Sequence, residues 1–266
     1  MDTNFIVIFS YFIVIYRIVQ LYEVLIAMSF QNQFTKTTTD ANLMETVHHG
    51  SAEYPFRYYY ENIALFDFKC IDWHWHSELE FIYIESGNVV FDIGTVHFEL
   101  NEGNGIMINS KILHRLQSSS DAIIPNFLFQ PSFIAPQDSL IYKKYINPVI
   151  SSSLEYLVFQ PDIPWQKKAL EIIKTIIAVQ ETEFNREIIV SMSVQQLWIL
   201  LLENLTFDQF ENMGAVISRT RLQLMMQYVH AHYSENITLE DIARTANISK
   251  STALHLFQNN LKRSEE

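Results

Sequence analysis

Three histidines and a glutamate are the residues of this sequence whose types and spacing suit a chemical site. His74, His76 and Glu80 lie within residues 73–80 and are all even-numbered. Alternate residues of a β-strand point to the same face, so a continuous strand would bring these side chains together. His114, on a later strand, could join them. Imidazole nitrogens and a carboxylate can ligate a divalent metal such as Fe, Mn, Ni or Zn, and they can also line a polar pocket for a small organic molecule.

Short strands must position this cluster. Segments rich in Ile, Val, Phe and Tyr recur along the chain, and glycine-containing turns around Gly87 and Gly94 separate several of them. The predicted strands cover residues 63–70, 79–85, 89–93, 96–100, 105–109 and 123–129. Closely spaced short strands of this kind indicate a sandwich or barrel, and the smallest closed solution is a jelly-roll or cupin-like barrel.

Helical periodicity replaces the strand pattern after Pro131. Residues 139–150 predict a short helix, and Pro164 suits the first turn of a longer one, where its missing N–H costs nothing. A further helix is predicted over residues 187–205. Its apolar stripe consists of Val194, Leu197, Trp198, Leu201, Leu202 and Leu205. Both helices should pack on each other and on the barrel.

Near the C-terminus, residues 237–261 read ITLEDIARTANISKSTALHLFQNNL, which predicts two short helices around a tight turn. Thr238 can cap the first helix with Asp241 as its capping-box partner, and Ser249 can cap the second. Asn247 occupies the turn, where the left-handed backbone region is wanted. This is the pattern of a helix-turn-helix, whose second helix enters the DNA major groove. Any helical hairpin shares these features, so the pattern alone leaves that alternative open.

The residue identities in this stretch are more specific than its helical pattern. It strongly resembles the first helix-turn-helix of AraC-type (arabinose-regulator) transcription factors, and the preceding RTRLQLMMQYVHAHYSEN resembles the helix that leads into that motif. The resemblance implies a bacterial transcription regulator with a cupin-like sensor barrel and a small-molecule effector. It also implies that the helices after the barrel form a dimer interface, so that the stripe over residues 187–205 would serve both the core and the dimer.

The histidine stretch carries a second resemblance. The spacing His-x-His-x3-Glu-x6-Gly that starts at His74 resembles the first cupin motif, whose positions ligate a divalent metal, together with a later histidine, in metal-binding cupins. AraC-type sensor domains keep such a barrel, and many of them keep a His-x-His-like motif without using a metal. The second cupin motif is degraded, because no Pro-x-Gly precedes His114. We therefore expect no metal and no cofactor, with His74, His76, Glu80 and His114 as effector-binding residues.

The resemblance also assigns the side chains that contact DNA. Ser251, Leu254 and His255 fall where the family's base-contacting residues lie, and Lys250 suits a phosphate. The full predicted set is Ser249, Lys250, Ser251, Thr252, Leu254 and His255. It lacks an arginine, the commonest reader of guanine. AraC-type regulators carry a second helix-turn-helix beyond a linker helix, and this sequence ends before either. We therefore expect a truncated domain whose DNA binding is impaired, no tighter than micromolar.

Composition sets the remaining limits. The formal net charge of −12 disfavours non-specific binding to nucleic acid, so any DNA contact must come from the C-terminal end. A single cysteine, Cys70, excludes an intrachain disulfide and fits a reducing cytoplasm.

Residues 1–27 are largely apolar, with Arg17 among them. They would form a membrane segment or an extension upstream of a natural start at Met28, and the resemblance favours the extension.

The sequence thus predicts an α+β protein with a cupin-like β-barrel, a helical linker and dimerisation region, and an all-α helix-turn-helix. The predicted divisions are an apolar extension over 1–27, a loose N-terminal arm over 28–54, the sensor barrel over 55–135, the helical region over 136–214 and the helix-turn-helix over 215–266. We expect a cytoplasmic, homodimeric, ligand-responsive regulator that binds DNA weakly and is not an enzyme. A ligand-binding or dimerising protein without DNA binding and a metal-dependent cupin enzyme are the alternatives.

Overall fold

A computed structural model describes most of the chain. The described residues are 36–94, 96–182, 184–205, 213–232 and 234–260. The predicted apolar extension over 1–27 lies outside them. Within the described ranges, no helix combines the length and the apolar character that crossing a membrane requires.

Two antiparallel sheets face each other as a cupin-like barrel. The strands in the described residues are β1 Phe56–Asn62, β2 Cys70–His74, β3 Leu79–Tyr83, β4 Asn88–Ile93, β5 Val96–Asn101, β6 Gly105–Ile108, β7 His114–Gln117, β8 Ile123–Phe129 and β9 Tyr156–Phe159. The five-stranded sheet has the order β1-β8-β3-β6-β9, and the four-stranded sheet has the order β2-β7-β4-β5. The predicted cupin-like barrel is confirmed.

Some predicted strands differ from the observed ones. Residues 63–69 were predicted as a strand but form two 3₁₀ turns, Ile63–Leu65 and Asp67–Lys69. The Asn62 side chain caps the first by accepting from Ala64 N, and a φ of 58° at Phe68 breaks the extended path. The predicted ranges leave out β1, β7 and β9, and they include only Cys70 of β2. Because β9 pairs with β6, the predicted barrel boundary at residue 135 is too early for this sheet.

A layer of aromatic rings fills the space between the five-stranded sheet and the helices. The rings of Phe127, Phe129 and Phe159 lie nearly parallel to that of Phe81, with centroids 5.3, 5.9 and 6.3 Å away. The interior between the two sheets is filled mainly by aliphatic side chains and by Phe91. The five-stranded sheet therefore packs with one face against the helices and with the other face against the four-stranded sheet.

Six α-helices accompany the barrel in the described residues. They are α1 Asn147–Ile150, α2 Pro164–Ala178, α3 Arg186–Asn204, α4 Met213–His232, α5 Leu239–Thr245 and α6 Lys250–Asn260. A π-helical turn, Tyr142–Ile146, leads into α1. The predicted helices over 139–150, from Pro164 and over 187–205 are confirmed to within a few residues.

The apolar stripe predicted on α3 is buried within the chain. Val194, Leu197 and Leu201 are each 1% exposed, and the indole N–H of Trp198 donates to the carbonyl of Tyr145 at 3.1 Å. These residues belong to one core cluster with α2 and the five-stranded sheet. Leu202 and Leu205, at the end of the stripe, are only partly buried, and the predicted dimer interface through this stripe stays a prediction.

The opposite face of α3 is apolar and exposed. Ile188, Met192 and Ile199 are 60%, 67% and 57% exposed. Their spacing places them on one side of a helix with 3.6 residues per turn. The helix is thus apolar on both sides, and its outer face is exposed.

The described part of the N-terminal arm is docked on the barrel, which corrects the prediction of a loose segment. Leu43 is 2% exposed, and its carbonyl accepts from Trp75 N at 2.9 Å. The Asn42 carbonyl accepts from the Trp75 indole at 2.8 Å and from the Gln227 amide of α4 at 2.8 Å. This single carbonyl joins the arm, the histidine stretch and the first helix of the C-terminal region.

The helix-turn-helix has the predicted local structure. Thr238 and Asp241 form the capping box of α5, Asn247 has a φ of 51° in the turn, and Ser249 Oγ accepts from Thr252 N at 3.1 Å. The small residues Ala243 and Ala253 are buried where the two helices meet. The side chains that close this small core are Leu222, Met225, Met226, Leu239, Ile242, Ile248, Leu256 and Phe257.

Removing the cap should loosen the start of α5. Because Thr238 Oγ1 accepts from Asp241 N at 3.2 Å, a Thr238→Ala change leaves that N–H without a partner. Loss of an N-cap costs about 1 kcal/mol. We expect amide hydrogen exchange at Asp241 to become about fivefold faster. A Thr175→Ala change in the interior of α2 is the control and should leave this rate unchanged. Equal rates in wild type and Thr238→Ala would contradict the assignment.

Candidate functional site

The four predicted effector residues meet at one end of the barrel. His74 ends β2 and pairs directly with His114 at the start of β7, both in the four-stranded sheet. Glu80 belongs to β3 of the other sheet, and His76 lies in the connection between them. The strand is not continuous here, because the chain leaves β2 after His74 and crosses to β3. The side chains nevertheless converge.

The distances define a compact, buried cluster. Oε2 of Glu80 lies 3.4 Å from His76 Nε2 and 3.2 Å from His114 Nε2. One nitrogen from each of His74, His76 and His114 lies within 4.8 Å of the others. All four residues are buried. Their mutual interactions therefore act in a low-dielectric interior, with little screening by water.

Backbone carbonyls fix the orientation of the three rings. Nδ1 of His74 donates to Asp72 O at 2.8 Å, and Nδ1 of His114 donates to Ile112 O at 2.8 Å. Nδ1 of His76 faces the carbonyl of Glu78 at 3.3 Å. A carbonyl only accepts, so each Nδ1 carries the hydrogen, and each Nε2 presents a lone pair unless the ring is protonated.

Burial and neighbouring charges shift the pKa values of the cluster residues in different directions. Burial, reinforced by neighbouring histidines, lowers the pKa of His74 to about 3. Burial alone would also lower the pKa of His76, but its hydrogen bond to Glu80 and the nearby carboxylates raise it. Burial would raise the pKa of Glu80, but the neighbouring His114 and His76 outweigh it and hold the pKa of the carboxyl well below its usual value. At neutral pH the centre therefore combines an ionised carboxylate with at least one neutral imidazole.

One nitrogen of the cluster has no satisfactory protein partner. His114 Nε2 has no hydrogen bond of acceptable geometry to the described residues, although Glu80 Oε2 is 3.2 Å away. Leaving a buried polar atom without a partner costs about 1–3 kcal/mol. Three imidazole nitrogens and one carboxylate form a donor set that suits a divalent transition metal. The residues present thus fit a metal ion, and the predicted absence of a metal stays a prediction.

A small cavity of about 50 Å³ adjoins the cluster, and its wall is partly polar and partly apolar. Besides His74 and Glu80, its lining includes Glu45, His49, Tyr59, Glu61 and Asn126. A cavity of this size has room for several water molecules or for a small organic molecule.

The sequence did not reveal the part of this wall that the arm supplies. His49 is hydrogen-bonded to Tyr59 Oη at 2.9 Å and to Glu45 Oε2 at 3.0 Å, and its ring lies 5.7 Å from that of His76. Opposite the arm, Asn126 donates to Glu61 Oε2 at 2.7 Å. The only signal was the pair His48-His49 in a polar segment without periodicity.

The six predicted DNA-contacting residues are exposed at the start of α6. They are Ser249, Lys250, Ser251, Thr252, Leu254 and His255. Acidic side chains lie close to the basic ones: Lys250 Nζ is 2.9 Å from Glu240 Oε2, and Arg244 is 3.7 Å from Asp241. The surface therefore carries little excess positive charge.

Comparison with known proteins agrees with this arrangement. The family model described as "AraC-like ligand binding domain" matches residues 66–136. An uncharacterised HTH-type transcriptional regulator of Bacillus subtilis (strain 168), YdeC, is 32% identical over 231 residues, which cover 84% of this chain and 77% of that protein.

Solved structures give weaker likenesses. ToxT from Vibrio cholerae O395 is 12% identical, with a TM-score of 0.34 over 77% of this chain and 75% of its own. A cupin-2 domain protein from Shewanella frigidimarina NCIMB 400 is 14% identical, with a TM-score of 0.25 over 27% of this chain and 69% of its own. These low scores do not bear on function. The family match and the extent of the identity to the Bacillus subtilis regulator do: this chain belongs to the AraC family of helix-turn-helix transcription regulators.

Proposed function

We propose that the protein is a ligand-responsive transcription regulator, in which a small molecule bound in the barrel alters DNA contact by the helix-turn-helix. The observation that carries this proposal is the buried polar cluster beside a cavity, in the same chain as a capped helix-turn-helix. The Bacillus subtilis relative, described as an HTH-type regulator, supports it. We place the protein in the cytoplasm, as befits a DNA-binding regulator.

The effector site comprises His74, His76, Glu80 and His114. The cavity beside them is small, and its lining combines carboxylates, an amide and a phenol with apolar side chains such as Phe66 and Leu116. The effector is therefore a small molecule with both polar and apolar parts.

The arm offers a physical route from the cavity to the DNA-binding end. Glu45 and His49 lie in the cavity wall, while the carbonyl of Asn42 accepts from Gln227 of α4. A ligand that moves this wall would act on that hydrogen bond a few residues away. The route joins the two sites through one short segment.

DNA contact falls to the exposed N-terminal part of α6. Ser251, Leu254 and His255 would meet base edges, and Ser249, Lys250 and Thr252 would meet the backbone. Because Glu240 lies beside Lys250, part of the attraction to phosphate is already offset. We therefore propose weak, salt-sensitive binding to DNA.

Dimerisation, which we also propose, would use the exposed outer face of α3. Ile188, Met192 and Ile199 form an apolar strip that is exposed to solvent in the single chain. Two such strips packed against each other would hold two DNA-binding regions together and raise their joint affinity.

We regard the protein as a regulator rather than an enzyme. The four cluster residues include no serine, threonine or cysteine that could serve as a hydroxyl or thiol nucleophile. A metal-dependent enzyme is the second candidate, and the convergence of His74, His76 and His114 is the observation that favours it. A regulator explains the helix-turn-helix, whereas a metalloenzyme has no use for it.

A ligand screen tests the sensor function. The thermal unfolding midpoint of the full chain is measured with a library of small polar metabolites. We expect at least one compound to raise the midpoint of the wild type by several degrees, since a ligand that binds only the folded state stabilises it. The Glu80→Gln variant should lose this response. The His97→Gln variant, changed at an exposed histidine on β5, should keep it. Identical responses in wild type and Glu80→Gln would contradict the assigned site.

A further inference from the structure

We propose that Glu240 limits the contact of the helix-turn-helix with DNA phosphates, because it holds the ammonium group of Lys250 in an ion pair. Glu240 acts as a positioning residue, and it makes binding depend on the base contacts of α6. The proposal rests on the proposed function, since it concerns the same DNA-contacting surface. Three features of the structure support it: the geometry of the pair, its exposure and the charge of the segment around it.

The turn of the motif brings Glu240 and Lys250 together. Glu240 is the second residue of α5, and Lys250 is the first residue of α6. Between them Asn247 adopts a φ of 51°, which redirects the chain. Lys250 Nζ consequently lies 2.9 Å from Glu240 Oε2, the length of a charge-assisted hydrogen bond. This bond lowers the pKa of the Glu240 carboxyl, so the group is an ionised carboxylate at neutral pH.

The pair lies on the surface, so it adds little to the stability of the motif. The side chains of Lys250 and Glu240 are 59% and 58% exposed, and exposed ion pairs are weak because water screens them. The contact between the two helices rests instead on buried residues such as Ala243 and Ala253. What the pair changes is therefore binding: a phosphate that approaches Lys250 must displace the carboxylate or lie beside a like charge.

The surrounding segment has no excess of positive charge that could compensate. Arg244 and Lys250 are the basic residues of the range 234–260, whereas Glu235, Glu240 and Asp241 are its acidic residues. The distance from Lys250 to Glu240 is 2.9 Å, against 3.7 Å from Arg244 to Asp241. Of the two cations, Lys250 is thus the one whose charge is offset more directly.

This arrangement lowers the affinity of the motif for every DNA duplex. Phosphate contacts supply attraction that does not depend on sequence, whereas the base edges carry the sequence information. Because Glu240 occupies Lys250, a duplex gains little attraction through its phosphates at this position. Only sites that also satisfy Ser251, Leu254 and His255 then reach appreciable occupancy.

A double-mutant cycle tests this role. The full chain and its variants Glu240→Gln, Lys250→Gln and the double change are titrated against a fluorescent DNA duplex of arbitrary sequence at several salt concentrations. We expect Glu240→Gln to bind about tenfold tighter at low salt, with a salt dependence steeper by about one, as one more phosphate contact would give. Lys250→Gln should weaken binding more in the Glu240→Gln background than in the wild type.

The Glu240→Gln variant should fold as the wild type does. Glutamine has nearly the same shape as glutamate, and the capping box that starts α5 uses Thr238 and Asp241 instead. Circular dichroism checks the helical content. A change of the salt dependence cannot come from altered folding alone, so it distinguishes a released phosphate contact from a structural effect.

Glu235→Gln is the matched control. It removes one negative charge from the same segment, but Glu235 pairs with His232 of α4 at 3.2 Å. Its affinity should change by less than about twofold, because salt screens exposed charges outside the contact. Equal affinities of wild type and Glu240→Gln, or an equal gain in Glu235→Gln, would overturn the proposal while leaving DNA binding intact. Absence of binding by wild type and Glu240→Gln at low salt would contradict DNA contact itself.

Discussion

Replacing Phe81 with alanine is expected to lower the free energy of unfolding by about 3–5 kcal/mol. The side chain is 1% exposed and lies in the layer of parallel rings between the five-stranded sheet and the helices. Its removal leaves a cavity that the surrounding β-sheet cannot close. The folded state then loses both the free energy of burying the ring and the van der Waals contacts that the ring makes. Chemical denaturation followed by circular dichroism measures the change.

A matched phenylalanine supplies the control. Phe184 is 81% exposed, so Phe184→Ala should change the unfolding energy by no more than about 0.5 kcal/mol. Similar losses for the two variants would show that the ring layer around Phe81 is not the centre of the core.

The double change Met192→Glu and Ile199→Glu should convert a dimer into a monomer. Both side chains lie on the exposed apolar face of α3. Pairing that face with a copy of itself would bury four carboxylates against apolar surface, which is strongly unfavourable. We expect the dimer dissociation constant to rise at least about 100-fold, which corresponds to about 2.7 kcal/mol. Sedimentation equilibrium of the full chain measures it.

The control places a charge elsewhere on the surface. Thr175 is exposed on α2, and Thr175→Glu should dimerise as the wild type does. A wild-type chain that stays monomeric at tens of micromolar would contradict the interface. So would a double variant that dimerises with unchanged affinity.

The sequence was most informative where local rules govern the structure. Thr238, Asp241, Asn247 and Ser249 each adopt the predicted role, because caps and turns depend on neighbours within a few residues. Strands with clear glycine turns were predicted correctly for the same reason. The family resemblance then supplied the order of the domains.

Tertiary contacts explain what the sequence left unresolved. Helix α3 is apolar on both sides, so periodicity alone could not tell which face packs inward, and the predicted stripe proved to be the buried one. Strand β9 follows a segment without strand pattern, and only its pairing with β6 assigns it to the barrel. Long-range pairing of this kind leaves little local signal.

The candidate site also combines features that the sequence predicts with features that only tertiary contacts determine. The shared parity of His74, His76 and Glu80 indicated that their side chains would meet if the strand were continuous, but the strand ends at His74. Two sheets and a connection bring them together instead. His49 and Glu45 could not be found, since they reach the cavity only because the arm docks through Leu43.

Selection of DNA sequences tests the regulator function most directly. The full chain is immobilised, and a random library of double-stranded DNA is passed over it through several rounds at low salt. The wild type should enrich a defined motif that it binds weakly at physiological salt, and the His255→Ala variant, changed on the exposed side of α6, should not. Failure of the wild type to enrich any motif, or the same enrichment by His255→Ala, would contradict a regulator that reads DNA through this helix.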